Sequence, residues 1–496
     1  MGRLLEAGAA RPCAALLHLL VVVALLLAAS VAVGQPLDTV WTRVFDSGRF
    51  DCLLEGAIDP FGDIVLCGVV YDGSGGGNPT ALVVKYDPSG DTVWSRSYDS
   101  PDDDNAGGLA VDSDGNVIVV GAYVTPGDTL GGEVLKYDRN GNLLWVRRYL
   151  PNGSTTDLCG ALVDDSMNIY ACGYCFVGGS YDDALLMKLS PDGDSLWTKT
   201  YDLGGDWMEA FDRLEWDREG CIVGIGTTGD DDNTDFITVK FDRDGDTIWT
   251  RRLSFQAEEW PTAVAVDSSN NIVVTGLADD GNMVIPFACV LFKYSSSGDL
   301  LWSRTYRFGP ETYGGGVAVD RWGNFLLAAT DDDTVPGPGT TPRCLVMKCD
   351  SMGDTVWTWR CRPYTDGFDL KLDDTDHIYV FGSFYNGSDP DFLVMKLRYE
   401  SGIEDEVRPP PGLRCVGYGV SSPVRSEGPV RFWTSKPGRY RIDLVDVLGR
   451  KARVLYDGPL TRGEHLLGLG ELPAGVYSLR IAAGDGVTAW PLVVTE

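Results

Sequence analysis

The stretch KYDPSGDTVW, residues 85–94, decides the fold, because it recurs five more times along the chain. Apolar and polar residues alternate on either side of a Gly, which is the pattern of two β-strands joined by a tight turn. The Asp can hydrogen-bond to the turn backbone, and the Gly can adopt a positive φ. The other copies are KYDRNGNLLW (136–145), KLSPDGDSLW (188–197), KFDRDGDTIW (240–249), KYSSSGDLLW (293–302) and KCDSMGDTVW (348–357).

A second hairpin pattern precedes each copy and is clearest in AVDSDGNVIVVG (110–121). Two hairpins in each repeat give four short strands, which is one blade of a β-propeller. The related segments are AIDPFGDIVLCG (57–68), ALVDDSMNIYACG (161–173), LEWDREGCIVGIG (214–226), AVDSSNNIVVTG (265–276), AVDRWGNFLLAA (318–329) and KLDDTDHIYVFG (371–382). The third, fourth and seventh repeats depart from the AVDxxGN form.

The two ends of the repeat region are complementary. The repeated Lys occurs a last time as Lys396 without a following Trp, and the repeated Trp occurs first as Trp41 without a preceding Lys strand. Placing residues 38–46 as the outer strand of the last blade removes two open sheet edges. The sequence therefore predicts an all-β chain whose residues 35–400 form a seven-bladed propeller closed by its N-terminal strand.

The repeats resemble the bacterial β-propeller repeat family often called SBBP, through the patterns AVDxxGN and KxDxxGDxxW. The resemblance implies a fold and no particular reaction. Because the Lys and Trp recur in every repeat, we interpret both as structural. We expect the indoles to pack between radial sheets and the Lys stems to lie along neighbouring blades.

Residues 1–34 have the features of a signal peptide. Arg3 and Arg11 supply positive charge, residues 14–33 are mostly apolar, and Ala32-Val33-Gly34 fits a cleavage site. An uncleaved anchor helix is the alternative, since about 20 apolar residues can span a bilayer. We expect a mature protein that is secreted or held at the outer cell surface, with no membrane span once the signal is removed.

The C-terminal part differs in composition from the repeats. Residues 401–411 are charged and Pro-rich, as expected of a linker, and 412–496 contain short strand-like runs that predict a small Ig-like β-sandwich. The runs resemble the C-terminal sorting domain of the type IX secretion system, which is similar to an FlgD Ig-like module. The matching segments are Ser422-Pro423, IDLVDVLGR (442–450), TRGEH (461–465), LPAGVYSLRI (472–481) and the terminal WPLVVTE.

This resemblance implies passage across an outer membrane, with the export machinery as a partner, followed by release or surface attachment. The family usually has Asn-Pro where Ser422-Pro423 stands, and a plain accessory Ig-like domain is the alternative.

The extracellular compartment expected for this protein permits disulfides. Cys344 with Cys361, and Cys159 with Cys172, flank predicted hairpin turns and are candidate disulfide pairs, while the pairing itself stays open.

Charge and composition exclude several function classes. The chain carries 72 acidic and 41 basic residues, a net charge of −31, and such a field repels nucleic acid. Its three His are scattered, which argues against His-rich metal sites and a Ser-His-Asp nucleophile. Residues 242–246 begin like a calcium loop but lack the terminal Glu, so a hairpin turn is favoured over calcium. No cofactor is expected.

The variable segments between blades give the candidate ligand site. Each leads from an outer strand to the next inner strand, so they gather on one face of the ring near its axis. Several combine an acid with an aromatic residue, which suits sugar rings, peptides or cations. The alternative is that the aromatics fill gaps and the acids cap loops. The residues are Phe50, Asp51, Asp206, Trp207, Glu209, Glu259, Trp260, Glu311, Tyr313, Asp366 and Phe368.

We therefore predict a non-enzymatic binding module for a glycan, a peptide or a surface protein. The alternative is a secreted carbohydrate-active enzyme that uses carboxylates on this loop face as general acid and base.

Overall fold

The computed structural model describes most of the chain after residue 36. The predicted signal peptide and linker lie outside the described residues. These are 37–71, 79–98, 100, 104–124, 129–151, 154–176, 182–205, 208–230, 233–255, 258–279, 287–308, 312–332, 342–361, 365–385, 389–399, 413–414, 424–425, 429–434, 438–446, 451–461, 463–468, 475–483 and 486–495. Within these ranges the secondary structure is β-strand, with no α-helix.

The strands up to residue 399 form sets of four whose internal pairs are antiparallel, and one parallel bridge, Asp182 with Met208, links the third set to the fourth. Set 1 is β2 (Phe50–Ile58), β3 (Ile64–Tyr71), β4 (Pro79–Tyr86) and β5 (Thr92–Tyr98); set 2 is β6 (Asp104–Val111), β7 (Val117–Val124), β8 (Leu130–Tyr137) and β9 (Leu143–Tyr149); set 3 is β10 (Thr156–Val163), β11 (Ile169–Phe176), β12 (Asp182–Leu189) and β13 (Ser195–Tyr201); set 4 is β14 (Met208–Trp216), β15 (Ile222–Asp230), β16 (Asn233–Phe241) and β17 (Thr247–Leu253).

The remaining sets follow the same order until the last one. Set 5 is β18 (Glu259–Val266), β19 (Ile272–Asp279), β20 (Phe287–Tyr294) and β21 (Leu300–Tyr306); set 6 is β22 (Thr312–Val319), β23 (Phe325–Asp332), β24 (Pro342–Cys349) and β25 (Thr355–Arg360); set 7 is β26 (Asp369–Leu372), β27 (Ile378–Tyr385), β28 (Pro390–Tyr399) and, from the start of the described chain, β1 (Leu37–Phe45).

Strand β1 pairs antiparallel with β28 along its length, with Trp41 opposite Lys396 and Phe45 opposite Phe392. The N-terminal strand therefore completes the sheet that contains DFLVMKL, as the complementary ends of the repeats predict.

The first strands of the sets run next to one another in a circle. The first strand of each set contacts the first strand of the next set. These strands follow one another in the order β2, β6, β10, β14, β18, β22 and β26, and β26 contacts β2. Apolar side chains fill the space between adjacent sets, as where Leu53 and Val84 of set 1 pack with Phe381 and Phe392 of set 7. This circle of four-stranded sheets defines a β-propeller fold.

The C-terminal strands form two sheets. One has three strands, β29 (Leu413–Arg414), β31 (Pro429–Thr434) and β34 (Gly463–Gly468); the other has five, β30 (Val424–Arg425), β36 (Gly486–Thr495), β35 (Gly475–Ala483), β32 (Gly438–Asp446) and β33 (Lys451–Leu460). All pairs are antiparallel except β30 with β36. The region is all-β, as predicted.

The repeated Lys reaches a backbone carbonyl of the neighbouring set in three places, since the ammoniums of Lys136, Lys240 and Lys396 donate to the carbonyls of Pro191, Ser296 and Pro88 at 3.4, 3.5 and 3.5 Å. Each repeated Lys is buried at least in part, and its ammonium pairs with the Asp of the first hairpin turn in its own set, because a buried charge needs an opposite charge beside it. The nitrogen–oxygen distances are 2.7 Å for Lys85–Asp59, 3.1 Å for Lys136–Asp112, 3.8 Å for Lys188–Asp164, 2.6 Å for Lys240–Asp217, 2.7 Å for Lys293–Asp267, 2.8 Å for Lys348–Asp320 and 3.8 Å for Lys396–Asp373.

The same Asp also holds its turn. Asp59 accepts hydrogen bonds from the N–H groups of Phe61 and Asp63, at 2.8 and 2.9 Å. One carboxylate thus fixes the turn between the first two strands and, through Lys85, the third strand.

The repeated Trp packs against the next set, as expected. Trp94 donates from its indole N–H to the carbonyl of Arg139 in the second turn of set 2, at 3.0 Å. That turn also contains Gly141, with φ of 79°. A Cβ on Gly141 would lie 2.7 Å from the Trp94 ring, so this glycine serves both the turn and the contact.

Neither candidate disulfide is formed in the structure, because all four thiols are free. The N–H of Cys361 donates to the carbonyl of Cys344 at 2.9 Å, and the Cys361 thiol lies 3.4 Å from the sulfur of Met395 rather than bonded to Cys344. Cys159 occupies a β-bulge and is displaced from Cys172.

Replacing Lys85 tests the buried pairs. Lys85→Met leaves the Asp59 carboxylate buried without its counter-charge, since both side chains are fully buried. We expect the free energy of unfolding to fall by about 3–5 kcal/mol in chemical denaturation.

The matched control is Lys199→Met. Lys199 pairs with Asp246 at 2.6 Å, but the Asp246 side chain is 76% exposed, so the loss should stay below about 1 kcal/mol. Equal losses in the two variants would contradict the structural role of the buried pair.

Candidate functional site

The inner strands of the circle are bulged where they approach the axis. The pairing register shifts between Leu53 and Glu55 in β2 and between Phe211 and Arg213 in β14. A bulge turns two successive side chains toward one face. Accordingly Asp212 and Arg213 are both half-buried, whereas the residues on either side of them are buried.

Small residues bring several inner strands into backbone contact. A Cβ on Gly107 of β6 would lie 2.2 Å from the carbonyl oxygen of Leu158, and one on Gly316 of β22 would lie 2.2 Å from the N of Leu370. These positions tolerate no side chain. Larger axial side chains are therefore carried by other inner strands.

Sets 1, 4 and 7 carry charged residues at the corresponding positions. We call these residues the axial cluster: Glu55, Asp212, Arg213, Glu215, Asp369 and Lys371. They are half-buried except Asp369, which is buried, and the Lys371 side chain is 40% exposed. The cluster is thus surrounded by inner strands and still reached by water.

Arg213 ties three sets together at the axis. Its Nη1 donates to the carbonyls of Cys159 and Asp212 at 3.0 and 2.9 Å, and its Nη2 lies 3.4 Å from the carbonyl of Leu54. Sets 3, 4 and 1 thereby share one guanidinium.

The other charged groups have fewer partners. The Lys371 ammonium lies 3.2 Å from Oδ2 of Asp369. Glu55 accepts the N–H of Leu109 from set 2 at 2.8 Å, and Glu215 accepts the N–H of Trp216 at 2.9 Å.

Burial makes ionisation of these acids unfavourable. It raises the pKa of Asp212 from 3.8 to about 7, against the opposing effect of Arg213. Burial also raises the pKa of Glu55 and of Glu215, while Lys371 and other neighbouring cations act in the opposite direction. Strongly shifted acids in a water-accessible recess are typical of functional sites.

Sequence reasoning missed the axial cluster, although a signal for it was present. Glu215 and Lys371 stand where AVDxxGN has its Ala, in two of the three repeats that depart from the pattern. A charged residue at a repeated small-residue position can be recognised from the sequence. The bulge that brings Asp212 beside Arg213 cannot be recognised in this way.

The predicted loop-face acids that are described all hold nearby structure. Asp51 accepts the N–H of Ser47 at 2.9 Å, and Glu259 accepts that of Phe255 at 3.0 Å. Glu209 accepts the N–H groups of two residues in the preceding loop, and Asp366 accepts the Tyr385 hydroxyl at 2.6 Å. Burial is the main cause of the raised pKa of Asp51 and of Glu209.

Two predicted aromatics are linked through a third. Trp260 and Tyr313 each contact Phe287, with ring-centroid distances of 6.1 and 5.9 Å. Phe50 packs edge-on against Tyr71, and Phe368 is 40% exposed. Asp206, Trp207 and Glu311 lie outside the described residues.

Among the described residues, two clusters of three side chains have a spacing that could hold a metal ion. One is Asp46 with Asp51 and Asp391, and the other is Asp217 with Glu219 and Cys221. In the second group the Lys240 ammonium already lies 2.6 Å from Asp217.

The predicted calcium-like turn behaves as a hairpin turn. Asp242 accepts the N–H groups of Asp244 and Asp246 at 3.0 and 2.8 Å. Asp138 does the same in the equivalent turn of set 2.

No protein-family model matches the chain. It is 21% identical to an uncharacterized WD repeat-containing protein of Acanthamoeba polyphaga mimivirus, in an alignment that covers 66% of this chain, and it spans only 33% of the length of that relative.

Several solved structures of low sequence identity are similar to part of the chain. The β-propeller domain of the trilobed protease from Pyrococcus furiosus is 8% identical, with a TM-score of 0.43 over 71% of this chain and 98% of that one. An ulvan lyase is 10% identical, with a TM-score of 0.44 over 73% and 98% of the two chains. A gluconolactonase from Xanthomonas campestris is 15% identical, with a TM-score of 0.33 over 57% and 90%.

In the part of the chain that the structure describes, no helix is long and apolar enough to cross a membrane.

The raised pKa of Asp212 predicts a pH dependence of stability. A carboxyl with a higher pKa in the folded chain takes up a proton on folding. The contribution of Asp212 to the free energy of unfolding is therefore most favourable below about pH 4 and is lost as the pH rises to about 7. We expect Asp212→Asn to flatten the dependence of the unfolding free energy on pH in this window, as measured by urea denaturation at several pH values.

Asp91→Asn is the control, because the Asp91 side chain is 81% exposed. A slope that stays unchanged in Asp212→Asn would show that this carboxyl is not perturbed in the folded protein.

Proposed function

We propose that the protein is an exported, seven-bladed β-propeller that binds a small ligand at the axial cluster and is not an enzyme. The observation that carries the proposal is the placement of six charged residues on three inner strands, where the other repeats have mostly small residues. Burying charge is costly, so a fold that only needed a packed axis would gain nothing from it.

The carbohydrate-active alternative has less support. It requires loop-face carboxylates that are available to a substrate. Asp51, Glu209 and Glu259 each accept hydrogen bonds from the preceding loop. Their replacement would disturb those loops whether or not catalysis occurs.

Export and surface location rest on the sequence. The support is the signal-like segment 1–34 and the similarity of 412–496 to a type IX sorting domain. In this proposal the tail adopts an Ig-like sandwich and engages the export machinery, and the propeller meets its ligand outside the cell. The SBBP-like repeats supply the scaffold.

The partner is a glycan, a peptide or a surface protein that presents a small polar group to the axis. Trp260, Phe287 and Tyr313 form an aromatic surface beside the loop face that would support such a partner by stacking.

A ligand screen tests the proposal. The full chain would be screened by thermal shift against sugars, amines, organic acids and peptides, and each hit measured by calorimetry. We expect a stabilising ligand whose affinity falls about tenfold in Glu55→Gln, which is about 1.4 kcal/mol. Mass spectrometry should recover the ligand unchanged.

Asp91→Asn should bind like the parent. Ligand turnover would contradict a pure binding role. Binding that resists Glu55→Gln but is lost in Trp260→Ala would place the site on the loop face instead.

A further inference from the structure

The acid Glu133 occupies a core position of set 2 that is apolar in every other set. It lies on β8, three residues before the repeated Lys136, and is 2% exposed. A buried acid is costly unless it is paired, so the fold alone favours an apolar residue here. The corresponding residues of the other six sets are buried aliphatic side chains: Leu82, Leu185, Ile237, Val290, Leu345 and Leu393.

One guanidinium holds this acid together with a second one. Nε of Arg148 donates to Glu133 at 2.7 Å, and Nη2 of the same group lies 3.3 Å from Oδ1 of Asp104. The Asp104 side chain is fully buried, and it also accepts the N–H and the hydroxyl of Ser100 at 2.6 and 3.0 Å. Two buried carboxyls therefore share a single cation.

A further departure from the repeat makes room for Arg148. Its guanidinium carbon lies 4.2 Å from the centroid of the Tyr123 ring, which is a cation–π contact. A Cβ on Gly131 would lie 2.4 Å from that ring, so only a glycine leaves space for it. The other six sets have a residue with a side chain at the position of Gly131. The changes at residues 131 and 133 thus serve the same guanidinium.

The cluster has one acid too many for both carboxyls to be ionised at low cost. Two ionised carboxyls and one guanidinium would leave an excess of one negative charge among buried groups. The side chains of Asp104 and Glu133 also form a hydrogen bond with each other, which requires a proton on one of the two carboxyls. Acids that interact in this way titrate as a pair.

We infer that Asp104 and Glu133 hold one proton between them and that this proton makes the stability of set 2 sensitive to pH. The proton is bound while the cluster is buried and is released when the surrounding strands open to water. The device is separate from the ligand site proposed at the axial cluster.

Titratable side chains of set 2 and of set 1 face Glu133. They are Asp104 on β6, Arg148 on β9, Tyr98 on β5 and Tyr137 on its own strand. Burial is the main cause that raises the pKa of Glu133 from 4.5 to about 7; the hydrogen bond from Arg148 lowers this pKa, and the charge of Asp104 raises it. Burial also raises the pKa of Asp104 and of both tyrosines, so the tyrosines stay neutral near pH 7.

The sign of the pH effect follows from the raised pKa. A carboxyl with a higher pKa in the folded chain stabilises that chain fully below about pH 4.5, and this contribution is lost as the pH rises through about 7. Opening of the strands around Glu133 should therefore become easier between pH 6 and pH 8.

Native-state hydrogen exchange on the full chain tests the inference, with protection factors that remove the intrinsic pH dependence of exchange. We expect the protection of β6, relative to that of β22, to fall about tenfold between pH 6 and pH 8, since one proton is lost over this range. Strand β22 is the equivalent strand of set 6, in which Leu345 stands at the position of Glu133 and Thr312 at that of Asp104.

Glu133→Gln should remove this fall, because an amide has no proton to release in this range. Asp91→Asn should keep the fall, because the Asp91 side chain is 81% exposed. Glu133→Leu introduces the residue type of the other sets and should also remove the fall, which provides a second variant if Glu133→Gln fails to fold. A relative protection that stays constant from pH 6 to pH 8 in the parent, or an equal fall in the parent and in the Glu133 variants, would overturn the inference.

Discussion

Pairing of β1 with β28 is the constraint on which the rest of the structure depends. A row of sheets leaves one open edge at each end, and here the first described strand supplies the missing outer strand of the last sheet. The contact of β2 with β26 then closes the circle of inner strands. Only in a closed circle do Glu55, Arg213 and Lys371, which are distant in sequence, surround one axis.

Each sheet is held by a polar unit that the repeat encodes. The turn Asp binds backbone N–H groups and the buried Lys, and the Trp of the outer strand reaches the turn of the next sheet. These contacts lie away from the axis. The inner strands can therefore vary between glycine and charged residues without loss of the frame.

Much of the fold could be predicted from the sequence, because the strand period, the turn residues and the complementary ends are local patterns. The pairing of Trp41 with Lys396 follows from them directly. The role of the Lys could not be predicted, since its Asp partner lies about 26 residues earlier and their meeting depends on sheet register. The free thiol of Cys361 likewise depends on a distant residue, since it lies 3.4 Å from the sulfur of Met395.

The sequence could predict that the loop-face acids lie near the axis. It could not predict that their carboxylates accept hydrogen bonds from the preceding loops. The bulge in β14 that places Asp212 beside Arg213 was marked by no residue pattern.

Native-state hydrogen exchange tests the closing strand most directly. Amides of 37–45 should be protected as strongly as those of the outer strand β5 (Thr92–Tyr98), which occupies the same position in its own sheet. Rapid exchange throughout 37–45, with β5 protected, would contradict a ring closed by the N-terminal strand.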